Sequence, residues 1–324
     1  MRTPPSFVQV LDHGIHVIDT GFHRPMFDAA YLMIEAGRAA FIDTGTNHSV
    51  PRLLAALAAA NLRADAVDFV IATHVHLDHA GGAGLLMQQL PIARLVVHPR
   101  GAPHLINPRL LINGARAVYG DEEFERSYGN VIGVAPDRVL ETADGMLLAL
   151  AGRPLSFIDT PGHARHHHCI WDERSRGFFT GDTFGLSYRE FDTARGAWLL
   201  PTTTPVQFEP DALHASVRRM LAFEPERMYL THFGPVTQVQ RLGAELLVQL
   251  NQVVALGESV RQHADRHAAL KQGLLEICVA GAQRNGCRME RETVRELLAL
   301  DIELNAQGMG IWLDRKPPPA RLSS

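Results

Sequence analysis

The chain has 324 residues, 46% hydrophobic and 20% charged, the balance of a globular protein able to bury a sizeable core. A formal net charge of -4 supplies no basic field for nucleic acid or an anionic membrane, and no apolar run reaches transmembrane length. Met1 to Ser6 lack a basic-then-apolar leader, and Cys169, Cys278 and Cys287 do not form a disulfide framework or a cysteine zinc knuckle, so a cytoplasmic location is expected.

In chain order, residues 7–10 and 15–18 read as strands around the break Asp12-His13-Gly14. Residues 30–34 and 39–42 flank Gly37-Arg38 as a second hairpin, ended by Asp43-Thr44-Gly45. An Ala/Leu helix over 50–60 leads to a buried, β-branched strand over 67–72. A helix over 83–90 is stopped by Pro91, and 94–97 is a further strand. Residues 99–128 read as helical with breaks at Pro103 and Pro108. A second β block follows at 138–140, 146–150, 155–159, 169–171 and 177–180. A helix over 210–223 and a strand over 227–230 come next.

From 236 onward Leu246, Leu247, Leu250, Val253 and Val254 recur at helical spacing. Two β blocks with flanking helices predict two sheets packed face to face with helices outside. The expected division is a catalytic part over 1–235 and a helical extension over 236–324, covering the site mouth or forming a homodimer contact. Pro317 to Pro319 mark a frayed tail.

The chemistry concentrates where the 67–72 strand ends, in Thr73-His74-Val75-His76-Leu77-Asp78-His79-Ala80-Gly81-Gly82. Imidazole and carboxylate suit zinc, iron or manganese. His74 and His76, two apart, point the same way from an extended backbone. Adjacent Asp78 and His79 do not share a face of a helix or strand, so this reading makes the segment a turn whose ligands face more than one centre. A histidine-rich surface stretch is the plainer alternative, but this string between an apolar strand and Gly-Gly is more specific than that. Three later strand ends repeat the pattern: Pro161-Gly162-His163, Gly181-Asp182 and Thr231-His232. Each alone suits a turn aspartate or a hydrogen-bonded core histidine. The chain has no GxSxG, no P-loop and no dinucleotide fingerprint.

The ordered set HxHxDH, PGH, GD and TH resembles the metallo-β-lactamase superfamily over roughly residues 7 to 235. The resemblance implies an αββα sandwich of two mixed sheets with outer helices, and a metal site at one edge. It implies that His74, His76 and His163 hold one ion, that Asp78, His79 and His232 hold a second, and that Asp182 bridges them. Asp43 matches an aspartate that orients the histidine loop. Many true β-lactamases carry cysteine at the position of Asp182, so the all-His/Asp set favours hydrolase branches. The glutathione-binding pattern of glyoxalase II is missing, and so is the flavodoxin domain of flavodiiron proteins.

The implied cofactor is a pair of divalent ions, zinc first, with iron or manganese as alternatives. The implied function is a dinuclear hydrolase of a small-molecule ester, thioester, lactone or phosphodiester, acting through a metal-bridging hydroxide oriented by Asp78. The alternative is an iron-loaded redox or oxygen-sensing member of the same fold. His166 and His167 read as supporting the ligands or facing substrate, or equally as surface imidazoles, and Arg165 as solvated rather than as a contact for an anionic substrate group. Phe184, Tyr188 and Trp198 are expected along the pocket wall, residues 185–205 as a specificity loop, and Trp312 as a packing anchor.

Overall fold

Residues 3–203 and 206–316 are described by a computed structural model. The two hairpins form as expected: β1 (Val8–Val10), β2 (Ile15–Asp19), β3 (Ala29–Glu35) and β4 (Arg38–Ile42) pair antiparallel in sequence. Helix α1 (Val50–Ala59) then returns the chain so that β5 (Val67–Ile71) runs parallel to β4. Helices α2 (Leu77–Ala80) and α3 (Ala83–Gln89) precede β6 (Arg94–Val97), parallel to β5. Helices α4 (Ala102–Ile106), α5 (Arg109–Tyr119) and α6 (Asp121–Tyr128) lead to β7 (Val139–Glu141).

This last strand corrects the sequence reading. Residues 138–140 were expected to open the second β block, yet β7 pairs parallel with β6 and closes the first sheet. Three apolar residues cannot name their own sheet. The helical crossover before them decides it, because such a connection returns a strand parallel to the one it left.

The second sheet contains β8 (Leu147–Leu150), β9 (Arg153–Asp159), β10 (His168–Asp172), β11 (Gly177–Gly181), β12 (Arg227–Leu230) and β13 (Gly234–Val236), ordered β13-β12-β11-β10-β9-β8. Helix α7 (Pro210–Leu221) precedes β12, and α8 (Val239–Ser259), α9 (Arg266–Arg284), α10 (Arg291–Leu297) and α11 (Ala299–Arg315) follow β13. The unpredicted β13 holds Pro235, which an edge strand tolerates because one side needs no donor.

Alternation along the strands builds the layers. In β3, Tyr31 and Met33 face the second sheet's Phe157, Ile170, Phe179 and Tyr229, forming the sandwich interior. Their neighbours Ala30 and Leu32 face outward and pack with Leu53 and Leu57 of α1 and Leu86 of α3. The outer face of the second sheet carries Ile158, Trp171, Phe178 and Met228 against Leu213 and Val217 of α7 and Leu246 and Leu250 of α8. Residues of α9 and α11 join this same cluster, so the C-terminal helices complete the outer layer beside α7. The tail reading at Pro317 to Pro319 lies outside the described residues.

Candidate metal centre

The parallel pairing of β4 with β5 sets the first anchor. Asp43, just past β4, has a left-handed φ of 56° and donates its N–H to Ile71 O at 2.8 Å. Its Oδ1 accepts from the Thr73 amide at 2.8 Å and the Thr73 hydroxyl at 2.9 Å. Its Oδ2 faces His79 Nδ1 at 2.8 Å and accepts from the Thr231 hydroxyl at 2.9 Å. One buried carboxylate therefore ties together the loops that carry His74, His79 and His232. Close backbone approach fixes the glycines around these loops. A Cβ on Gly82 would lie 2.7 Å from Thr46 O, and one on Gly181 would lie 2.5 Å from His167 Nε2.

The segment after β5 departs from the sequence reading. Asp78 and His79 lie on the single helical turn α2 rather than in an open turn, and both face one centre. Side chains about 100° apart on a helix can still meet at a point off its flank. His74 and His76 precede that turn, with His76 extended as its N-cap. His163 follows β9, Asp182 follows β11 and His232 follows β12.

All seven side chains converge at this edge of the sandwich. His76 Nδ1 lies 2.9 Å from His74 Nε2 and 3.0 Å from His163 Nε2. Asp182 Oδ2 is 3.4 Å from His163 Nε2, while its Oδ1 is 3.3 Å from His79 Nε2 and 3.7 Å from His232 Nε2. Asp78 Oδ2 is 3.5 Å from His232 Nε2. His74, His76, His163 and Asp182 form one group able to hold an ion, and Asp78, His79 and His232 form another, with ligand atoms within 4.8 Å of one another in each.

The metallo-beta-lactamase superfamily model matches residues 17–232. The chain belongs to the metallo-beta-lactamase superfamily. A metallo-beta-lactamase fold-containing protein of Sulfurisphaera tokodaii is 27% identical over 229 residues, 69% of this chain and 80% of the relative. An atrochrysone carboxyl ACP thioesterase of Aspergillus fumigatus is 26% identical over 180 residues, 55% of this chain but only 42% of the relative. The crystal structure of an archaeal superfamily protein from Sulfolobus tokodaii superposes with a TM-score of 0.65 at 23% identity, covering 92% of this chain and 99% of that one.

As in any metallo-beta-lactamase fold the question is whether the donors fit ions, and here they do. Three ring nitrogens meet around His76 with no proton donor of another kind among them. His79 Nε2 and Asp182 Oδ1 are buried, face each other, and make no hydrogen bond. Such orphaned acceptors and donors are costly unless something occupies the space between them. The remaining ring nitrogens are held from behind: His74 Nδ1 lies 3.2 Å from the Thr73 hydroxyl, and His232 Nδ1 donates to Phe27 O at 3.0 Å. That arrangement is what orients a ligating imidazole. Burial pushes His76 down to about 3 and His163 down to about 4, so both rings are neutral donors at pH 7.

His167 and His166 take different places. His167 is buried, with Nδ1 2.9 Å from the Thr160 hydroxyl and Nε2 accepting from the Asp182 amide at 3.2 Å. Its ring stacks on His74 with centroids 4.8 Å apart, so it braces two of the converging side chains. His166 accepts weakly from the Val75 amide at 3.4 Å and borders the open cavity beside the site. Arg165 forms a surface ion pair with Glu209 at 2.6 Å.

The expected aromatic wall is mostly core. Phe184 and Trp198 are buried in the cluster beneath the helices, and only Tyr188 borders the site. Phe191, Leu199 and Leu200 of the predicted specificity loop are core-packed too, while Leu186 and Thr202 of that loop border the site beside Tyr188. Trp312 is a packing anchor, buried with its ring 6.1 Å from Phe208.

Two spaces open at the centre. One, of about 300 Å³, is walled by Val75 and Leu77 and by Leu111, Ala115 and Val118 of α5. The other, of about 60 Å³, is bordered by Phe22, Phe27, Tyr188 and Asp301. Asp78 and Asp182 border both. Sequence reasoning missed the α5 wall. Its signal was Leu111, Ala115 and Val118 recurring at helical spacing on one side of the segment.

Proposed function

We propose that this chain is a dinuclear metal-dependent hydrolase of apolar carboxylic esters, thioesters or lactones, with zinc as the first choice of ion and iron or manganese as alternatives. The observation that carries the reading is the position of Asp182, whose two oxygens face the two separate donor groups. In this reading His74, His76 and His163 hold one ion, Asp78, His79 and His232 hold the other, and Asp182 spans them. Two such ions supply a water of lowered pKa and a Lewis acid for the carbonyl.

The chain's own residues do the rest. Asp78, whose side chain is 25% exposed at the floor of the 300 Å³ chamber, orients the attacking water and accepts its proton. In the ion-free protein burial raises the Asp78 carboxyl, but attraction from His79 and the hydrogen bond to His232 outweigh it and hold the group below its usual range, so it is ionised there. Leu111, Ala115 and Val118 on α5 offer an apolar wall for the acyl or alkoxy chain and exclude water from it. That wall favours carbon esters over a phosphodiester, whose single negative charge, shared by two oxygens, would lie beside it. The Aspergillus relative bears the name of a thioesterase, which accords with this class. The substrate is a small molecule in solution, and the expected location is the cytoplasm. Among the described residues no helix is long and apolar enough to cross a membrane.

The test is a series of C2 to C10 alkyl esters and thioesters with zinc-, iron- and manganese-loaded protein, alongside elemental analysis of the protein as purified. Turnover rising with chain length, and abolished in Asp78→Ala with unchanged circular dichroism, is the expected result. Protein that carries iron, consumes dioxygen and hydrolyses none of the series would establish the redox alternative instead.

A further inference from the structure

Asp301 lies in the first turn of α11, beyond the family-matched segment, and carries none of the ligand motifs. It is 7% exposed, yet it borders the 60 Å³ space together with Asp78, Asp182 and His232. Its Oδ1 accepts a hydrogen bond from the Tyr188 hydroxyl at 2.9 Å. Its Oδ2 is buried and has no hydrogen-bond partner among the described residues. Arg24, whose guanidinium lies 4.7 Å over the Tyr188 ring and whose Nη1 pairs with Glu190, attracts Asp301 through space without a hydrogen bond to it, and its Nη2 is likewise buried without a hydrogen-bond partner among the described residues.

A buried carboxylate oxygen left unmatched is costly, so its retention beside the reacting centre points to a ligand that matches it. The space around it bounds that ligand. At about 60 Å³ it is small beside the 300 Å³ chamber and admits only a short group of a few heavy atoms. Asp78, Asp182 and Leu304 border both spaces, so a substrate centred on the two carboxylates puts its long part in the apolar chamber. Its short part then reaches Asp301.

We propose that Asp301 is a specificity residue whose free Oδ2 accepts a hydrogen bond from a hydroxyl on the short side of an apolar ester, selecting hydroxylated substrates over their deoxy counterparts. The role rests on the hydrolase reading above. Tyr188 is the positioning residue: its hydroxyl occupies Oδ1 and leaves Oδ2 for the substrate. Burial pushes the Asp301 carboxyl up to about 6, against the Tyr188 bond, so above that pH it is an acceptor only. A site built to hydrogen-bond a substrate hydroxyl discriminates strongly against the analogue that lacks it, because the site's polar atom is then stranded.

The experiment uses zinc-loaded full-length protein at pH 8 and two matched pairs, one for each orientation of the ester. These are hexyl glycolate with hexyl propanoate, and 2-hydroxyethyl hexanoate with propyl hexanoate. Each kcat/KM ratio is divided by the corresponding ratio for alkaline hydrolysis, which removes the intrinsic reactivity of the hydroxylated ester. The expected result is a corrected preference of at least about tenfold for the hydroxylated member of one pair.

Asp301→Leu, which removes both oxygens, drops that ratio towards one. Asp301→Asn, whose N–H can stand where Oδ2 stands and donate to the same hydroxyl, lowers the ratio but keeps part of it. A corrected ratio near one in the parent protein overturns the proposal. So does a ratio unchanged in both variants, since a merely structural role lowers both rates together. N-hexyl glycolamide and N-hexyl propanamide, which resist cleavage, supply a binding readout by calorimetry. An Asp301-dependent preference for the glycolamide without turnover of any ester would keep the specificity role and overturn the hydrolase reading. No preference in binding or in turnover overturns the role itself.

Discussion

The two donor groups share one edge of the sandwich and one carboxylate, yet they hold protons in opposite ways. In the first, three imidazoles crowd together with Asp182 as their sole carboxylate. Burial dominates there: His74 is driven well below its ordinary value, His76 to about 3 and His163 to about 4. In the second, two imidazoles face Asp78, Asp182 and Asp43. Burial opposes charging these as well, but the carboxylates overcome it, raising His232 to about 9 and His79 well above its ordinary value. The ratio of carboxylates to imidazoles, rather than depth, sets the difference. The first group is a ready set of neutral nitrogens. The second must release protons before it can ligate.

The sharpest way to break this contrast is to remove what the groups share. Asp182→Ala is expected to lower bound metal from two equivalents to one or fewer and to cut hydrolysis by about 10³-fold or more, the several kcal/mol that a bound ion contributes to charge stabilisation. Elemental analysis beside kcat/KM checks this. Two retained equivalents would show that the groups do not depend on the bridging position. Asp43→Ala acts from behind and on one side more than the other. His79 Nδ1 loses its acceptor, whereas His74 keeps the Thr73 hydroxyl. The expected loss is about 10–100-fold in affinity for the more weakly held ion, with the first equivalent retained. Equal loss of both equivalents in a metal titration would remove the asymmetry.

How much of this was legible beforehand depends on the range of the interaction. The ligand string, PGH, GD and TH were readable because each is a local strand-end pattern, and the hairpins were readable from alternation around Asp12 to Gly14 and Gly37-Arg38. The role of Asp43 was readable only through resemblance. Its bonds to Thr73, His79 and Thr231 span 30, 36 and 188 residues, which no local pattern encodes. The placement of β7 was lost because crossover geometry, not its own three residues, chooses its partner. Phe184 and Trp198 were misplaced because proximity to Asp182 in sequence says nothing of which side of the loop meets the C-terminal helices. Asp301 was invisible for the same reason: it reaches the site from 119 residues beyond Asp182, through the packing of α11.

The pH dependence of metal binding is the effect most specific to the contrast. With His232 raised to about 9, its imidazole is protonated at pH 7 in the ion-free protein, and His79 is as well. An ion entering the second group must displace those protons, so its apparent affinity rises with pH until about 9 and falls on acidification. Each proton released contributes about tenfold per pH unit. The first group, with His76 near 3 and His163 near 4, binds neutral and is flat from pH 6 to 9. Calorimetric titration of the chelator-treated protein at pH 7, in buffers of different ionisation enthalpy, separates the two. The first equivalent should show no buffer dependence, and the second should release one to two protons. A second equivalent that binds without proton release would mean that His79 and His232 are already neutral, so that the carboxylates around them do not outweigh burial.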